Sequence, residues 1–345
     1  MSFLLVGCWD EKLFKNLSIV TLGGFEGEIG NMTAYYAYPE AATSKDMKMI
    51  IISETGVSPR DVRLKADLKT EQTMNLSALS TLLISDETAK DHDIYEYLDI
   101  YFRDVNNPIT PRLAIIQGEL KPYFELTKEN QSSAGEFYSR LIKSLEENSV
   151  VIPYNLQTAG SLLFEDAQDL TLPYLKIDDG NRPILDGIAL FSGRKFTGEK
   201  LDSNQGILLN ILNKTTGTNT RLSYLYKESP VSILVNKSER KVNVSKDSIE
   251  VTIKIDALLT EYPKGDMRKK KDRIDLQDFL SKKIEDETNE VMKKLQKAKC
   301  DAIGLGRIVR AYHPYWYEKE WSEKFSQLDI SVKVDVEIVK TGILY

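Results

Sequence analysis

The sequence predicts a mixed α/β chain of the α+β kind, with largely antiparallel sheets packed by helices and a long helix laid over a C-terminal sheet. Three observations carry this. Strands of regular alternation stand at 249–256 and 330–338. In the first, Ile249, Val251, Ile253 and Ile255 face one way and Glu250, Thr252, Lys254 and Asp256 the other. In the second, Ile330, Val332, Val334, Val336 and Ile338 repeat the pattern. Period-two patterning with one polar face marks a half-buried antiparallel strand. Between them Leu276, Leu280, Ile284, Val291 and Leu295 form a helical stripe over 276–299, with Asp275 and Asp278 favouring its N-terminus. The earlier part of the chain alternates short apolar runs with amphipathic stretches.

The remaining elements follow in chain order. Residues 17–22, 32–38 and 47–53 read as strands, punctuated by Gly23-Gly24 and Pro39, and glycine-rich 24–30 as a hairpin turn. A helix is expected over 70–79 and a buried strand over 81–84. Residues 93–102 space Ile94, Leu98 and Tyr101 as the inner stripe of a helix, and 113–116 is a buried strand ending near Gly118. Helices are expected at 133–145 and 156–165. Asp178-Asp179-Gly180-Asn181-Arg182-Pro183 is the strongest loop signal and an expected boundary.

A chain of 345 residues suggests two or three domains. The expected divisions are 1–8, a short leader; 9–118, an N-terminal α/β domain; 119–186, a helix-rich region that is a second unit or an extension of the first; and 187–345, an antiparallel sheet with its long helix. Lys+Arg 46 against Asp+Glu 52 leaves a net charge of −6, which argues against a grip on nucleic acid through phosphates. No window approaches the roughly 20 apolar residues of a membrane-spanning helix.

Two cysteines cannot build a disulfide scaffold or a four-thiolate zinc site, and two histidines leave little for general-base chemistry. His92 lies between Asp91 and Asp93, and His313 precedes Pro314; both read as surface or packing residues. The Asp178-Asp179 loop lacks the later bidentate Glu of a calcium site and reads as a turn. Neither a Walker-type phosphate loop nor a Gly-x-Ser-x-Gly elbow is present. Carboxylates are abundant, but their spacing singles out no acid–base pair. No catalytic residue, cofactor or metal is expected.

The chain opens Met1-Ser2-Phe3-Leu4-Leu5-Val6-Gly7-Cys8-Trp9-Asp10. Leu5-Val6-Gly7-Cys8 fits the bacterial lipobox, where a slim residue precedes the cleavage point and the next thiol takes a diacylglycerol as a thioether. Cys8 is therefore the expected lipid attachment site, against the alternative of a buried thiol in an N-terminal strand. Only seven residues precede it and none is basic, so residues 1–8 are expected to be a truncated signal remnant. Cys300 reads as a buried thiol.

Two further features stand out. Lys264, Arg268, Lys269, Lys270, Lys271 and Arg273 form a basic knot that could face anionic headgroups or be a solvated loop leading into the long helix; Asp266, Asp272 and Asp275 nearby favour the loop. Tyr312-His313-Pro314-Tyr315-Trp316-Tyr317, then Trp321 and Phe325, suggests an apolar helix side, either core or partner anchor. Lys269, Lys270, Lys271, Trp316 and Trp321 are thus the candidate partner or membrane contacts.

Several of these pieces, in this order, resemble the Ger(x)C spore-germination lipoproteins. They are Gly7-Cys8-Trp9-Asp10, the strand ending at Gly23-Gly24, Arg103-Asp104 before Leu113-Ala114-Ile115-Ile116-Gln117-Gly118, and Gly187-Ile188-Ala189-Leu190-Phe191 with Gly198. The C-terminal signature Cys300-Asp301-Ala302-Ile303-Gly304-Leu305-Gly306, with Tyr312–Trp316, Trp321, Phe325 and the closing strand, is similar to the family's. Leu13 departs from the usual Glu, and Phe25-Glu26 from the usual acid pair.

The resemblance implies three mixed domains and a non-enzymatic C subunit of a nutrient germinant receptor. It would be lipid-anchored at Cys8 on the outer face of the spore inner membrane, beside membrane-embedded A and B subunits. A lipoprotein that itself captures a small nutrient, and an envelope hydrolase using an unrecognised carboxylate pair, are the alternatives.

Overall fold

Apolar runs from the first two thirds of the chain lie side by side in an eight-stranded mixed sheet, and the alternating strands of the last third form a four-stranded one. The computed structural model describes residues 17–40, 48–129, 133–245, 248–264 and 269–341. The chain begins with β1 (Leu17–Ile19), then the hairpin β2 (Leu22–Glu28) and β3 (Asn31–Pro39), with β4 (Met49–Gly56) on the far side of β3. Next come α1 (Pro59–Asp67), β5 (Thr73–Asn75), β6 (Thr81–Ser85), α2 (Asp86–Asp91), α3 (Tyr95–Arg103) and β7 (Arg112–Ile116). After α4 (Leu120–Glu125), α5 (Ala134–Glu147) and α6 (Leu156–Leu163), the strands β8 (Thr171–Ile177), β9 (Pro183–Ser192) and β10 (Lys195–Leu201) complete the sheet.

Its order is β10-β9-β8-β7-β6-β2-β3-β4. The centre, β8 to β2, is parallel and both flanks are antiparallel. A parallel centre covered on both faces needs apolar residues throughout, and every residue of β6 is buried.

The last third continues with α7 (Ser203–Asn213), β11 (Arg221–Tyr226), β12 (Ser229–Val244), β13 (Ser248–Glu261), α8 (Lys270–Lys297), α9 (Leu305–Tyr312), α10 (Trp321–Gln327) and β14 (Asp329–Lys340). Strand order in the second sheet is β11-β12-β13-β14. One buried cluster runs from Leu83, Ile116 and Leu175 through Leu208 and Leu212 of α7 to Ile253, Leu280 and Val334, so the two sheets share a core. A second cluster, with Phe25, Ile84, Tyr97 and Phe191, covers the opposite face of the large sheet.

Several expectations are corrected. Residues 70–79 are not a helix: Thr73–Asn75 is β5, which pairs in parallel with β1, and Met74 N donates to Asp67 Oδ1 at 2.6 Å. The 17–22 strand is broken because Val20 N bonds Asn75 O while Thr21 N bonds Ala37 O, carrying the chain from one partner strand to another. Gly23-Gly24 is not punctuation but the middle of β2. A Cβ on Gly24 would stand 2.9 Å from Leu120 Cδ2, so the glycine lets α4 lie close on the sheet. Helix α1 was not anticipated, although Ser58 caps it by accepting from Asp61 N and Pro59 follows at the first helical position.

The 178–183 loop is a turn, as expected, and takes the form of a hairpin joining β8 to β9. Strand β14 runs parallel to β13, because the chain re-enters the sheet in the same direction after crossing through α8. Helix α8 starts at Lys270, earlier than the stripe suggested, so Lys270 and Lys271 belong to its first turn rather than to a loop.

Helix α8 also does the work of a missing strand. Asn289 Oδ1 accepts from Val332 N (2.9 Å) and its Nδ2 donates to Val332 O (2.8 Å). Glu285 Oε2 accepts from Val334 N (3.2 Å), Ser281 Oγ from Val336 N (2.9 Å) and Gln277 Oε1 from Ile338 N (3.2 Å). Four helical residues advance about 6 Å and two strand residues about 6.7 Å, so one side chain per turn meets every second amide. The outer edge of β14 is thereby closed to pairing. Asn289→Ala is expected to cost about 1–2 kcal/mol by stranding both polar groups of Val332. An unchanged urea midpoint would show that water replaces the amide without loss.

Candidate functional site

The C-terminal signature folds around a carboxylate. After α8 ends, Cys300 and Asp301 are drawn fully inside. Asp301 Oδ1 accepts from Leu305 N (3.0 Å), and its Oδ2 accepts from Gly306 N (2.7 Å) and from Trp321 Nε1 (2.8 Å). The carboxylate thus takes up the free amides at the start of α9 and fixes α10 through the indole. Gly306 is required by the ring: a Cβ there would lie 2.5 Å from Trp321 Nε1.

The same residue ties the sheets together. Asp301 N donates to Asp169 Oδ2 (2.7 Å), Asp169 N donates to Asp301 O (3.1 Å), and Asp169 Oδ1 accepts from Gly193 N in the β9–β10 turn (2.8 Å). Around them Asn213 Nδ2 donates to Ala302 O (3.0 Å), and Arg240 donates from one guanidinium nitrogen to Leu212 O and Ile303 O (2.9 and 3.0 Å). Burial pushes the Asp169 carboxyl up to about 7, and the nearby Asp301 charge acts in the same direction. Burial also raises Asp301, opposed by its amide and indole donors. The Cys300 thiol is raised by burial. The cluster is sealed and its acceptors are occupied, so it is built to hold segments together.

The expected site residues lie apart. Cys8 falls outside the described residues. Lys269, Lys270 and Lys271 are exposed at the start of α8. Trp321 is only 1 % exposed, so its ring belongs to the interior rather than to an exposed anchor. Trp316 is half-buried, edge-on to Trp321 with ring centres 6.4 Å apart, and Lys324 Nζ stands 4.6 Å from its ring centre. Of the same aromatic run, Tyr312 and Tyr315 are exposed, at 78 % and 104 %. Cys300 is a buried free thiol, as expected.

His92 borders an acidic cleft of about 380 Å³ at the carboxyl ends of β6 and β7, with Glu26, Ser85, Thr88 and Glu119. Glu26 Oε2 accepts from Leu120 N (2.7 Å); Asp86 accepts from Gly118 N (3.0 Å) and from the Tyr174 hydroxyl (2.5 Å). Glu26, and Asp86 beside the cleft, are thus held by the fold's own donors. His313 ends α9 beside a second cleft, against β12. Among the described residues, no group of three or more His, Cys, Asp or Glu is placed to hold a metal, and no helix is long and apolar enough to cross a membrane. Asp169 was missed by sequence reasoning: 132 positions separate it from Asp301, and nothing in its local sequence marks the pairing.

Comparison with known proteins matches this architecture in two parts. Residues 10–177 match the model described as "Spore germination protein N-terminal domain", and residues 186–342 match "Spore germination B3/ GerAC like, C-terminal". The chain belongs to the Ger(x)C family of spore germination proteins. Among similar curated Ger(x)C relatives is the spore germination protein GerQC of Bacillus cereus, 24% identical, with 99% of this chain and 97% of the relative covered. The putative spore germination protein YfkR of Bacillus subtilis (strain 168) is 22% identical, covering 99% and 94%. Spore germination protein KC of the same strain is 19% identical, covering 99% and 93%. The crystal structure of the GerBC protein superposes with a TM-score of 0.60 at 18% identity, over 92% of this chain and 97% of that one, and shows the shared Ger(x)C fold.

Proposed function

We propose that this Ger(x)C protein is the non-enzymatic C subunit of a nutrient germinant receptor. In this reading a lipid on Cys8 holds it on the outer face of the spore inner membrane, and it acts by assembling with membrane-embedded A and B subunits to trigger germination. The observation that carries the reading is the ordered match of both family models from residue 10 to residue 342, directly behind Leu5-Val6-Gly7-Cys8. The interior supports it, because Asp169 and Asp301, the carboxyls that burial raises, serve packing. Lys269, Lys270 and Lys271, whose charge opposes the dipole at the start of α8, and half-buried Trp316 are the proposed membrane or partner contacts.

Leu17, where β1 begins, lies nine positions after Cys8, a reach of at most about 30 Å, so the body would stand close to the bilayer. Stable anchoring takes more than one acyl chain, which a diacylglycerol thioether with an amide-linked chain provides. Cys8→Ala is expected to shift the protein from the membrane to the soluble fraction of disrupted spores and to slow the nutrient response, while Cys300→Ala stays in the membrane fraction. If Cys8→Ala remains membrane-bound in spores lacking the A and B subunits, the anchor reading fails.

A further inference from the structure

The two outer strands of the C-terminal sheet are treated in opposite ways. The β14 edge is closed by the side chains of α8. Among the described residues, the other long edge is open. Strand β12 runs from Ser229 to Val244, yet β11 pairs only with Ser229–Leu234. The register then slips between Val235 and Lys237, leaving Asn236 as a bulge, and, among the described residues, 237–244 have β13 as their one strand neighbour. An edge of this kind offers a row of amides and carbonyls to any extended chain that can reach it.

What flanks this edge defines what fits it. Between β12 and α9 lies a groove of about 270 Å³, with Val242, Val244 and Ile308 as its apolar part and Lys214, Arg240 and Tyr312 around it. Val242 and Val244 lie two apart on one face of the strand, the spacing at which an added strand places alternate side chains. The charge is predominantly positive. Glu239 pairs with Lys237 (2.6 Å) and feels the charges of Lys254 and Lys214, but among the described residues no carboxylate forms an ion pair with Lys214, Arg240 or Lys241. A second copy pairing antiparallel about Arg240 or about Lys241 would set that cation directly against itself, which is destabilising.

We propose that residues 237–244 of β12 are a docking edge for an extended acidic segment of a partner protein. The segment would add as a fifth strand, with apolar residues in the Val242–Val244–Ile308 groove and carboxylates beside Lys214 and Lys241. Backbone pairing supplies the affinity and the cations select the sequence. The inference does not depend on how the chain is anchored.

A nine-residue peptide alternating valine and glutamate is the probe, with its valine–lysine counterpart as control and the full chain in detergent micelles as the receptor. The acidic peptide is expected to slow amide exchange across 237–244 while leaving β14 unchanged. The surface double variant Lys214→Glu/Lys241→Glu is expected to weaken its binding by about tenfold or more, and added salt to weaken it further. Three results would overturn the proposal: no protection at 237–244, equal binding of the lysine peptide, or protection that rises with protein concentration alone, which would mean self-pairing.

Discussion

Trp321→Ala is expected to lower unfolding stability by about 3–5 kcal/mol, the usual cost of deleting a large buried aromatic side chain. The ring is enclosed, stacked on Tyr317 with centres 5.7 Å apart, and its Nε1 is one of two donors on Asp301 Oδ2. Trp321→Phe separates these contributions. It keeps most of the apolar volume and removes the indole donor, leaving Gly306 N on that oxygen, and should cost about 1–3 kcal/mol. Urea unfolding of the three proteins gives the comparison. Equal losses in the two variants would mean that the hydrogen bond dominates and that packing around the ring is slack.

The second large effect depends on pH. Asp169 is held near 7, whereas an exposed aspartate titrates at 3.8, a displacement worth about 4 kcal/mol between the two protonation states. Between these values the folded protein keeps a proton that the unfolded chain has released, so the contribution of Asp169 to stability is greatest below about pH 4, declines as pH rises to about 7, and is level above that. Asp61, Asp99 and Asp104 act in the opposite sense. Their hydrogen bonds hold them below the ordinary range, and the stability they give is lost on acidification. Asp169→Asn should therefore flatten the decline between pH 4 and 7, leaving only the part that the raised Asp301 carboxyl supplies, and leave the acid limb in place. A wild-type-like slope in the Asn variant would locate the buried proton elsewhere.

Local patterns were legible where one strand or helix face meets a core. The alternation at 249–256 and the stripe from Leu276 to Leu295 became buried faces of β13 and α8, because side-chain period and burial coincide there. The misread 70–79 stretch owes its shape to pairing with β1, some 56 residues away, which no local preference reports. The same limit hid the joint between the sheets. Asp301 stood out within its signature, but Asp169 and Gly193 reach it only in the folded chain. The aromatic run was ambiguous for a physical reason: positions six apart take opposite roles, Trp321 facing inward and Tyr315 fully outward.

The bonding of α8 to β14 sets the step size of any sliding between them. A shift smaller than one four-residue step breaks the bonds at Gln277, Ser281, Glu285 and Asn289 together, whereas a four-residue shift of about 6 Å re-forms three of them two residues along the strand. The helix is therefore indexed to the sheet like a pawl on a rack. A push on its exposed lysine-bearing end is passed along its length as a rigid displacement, or not passed at all.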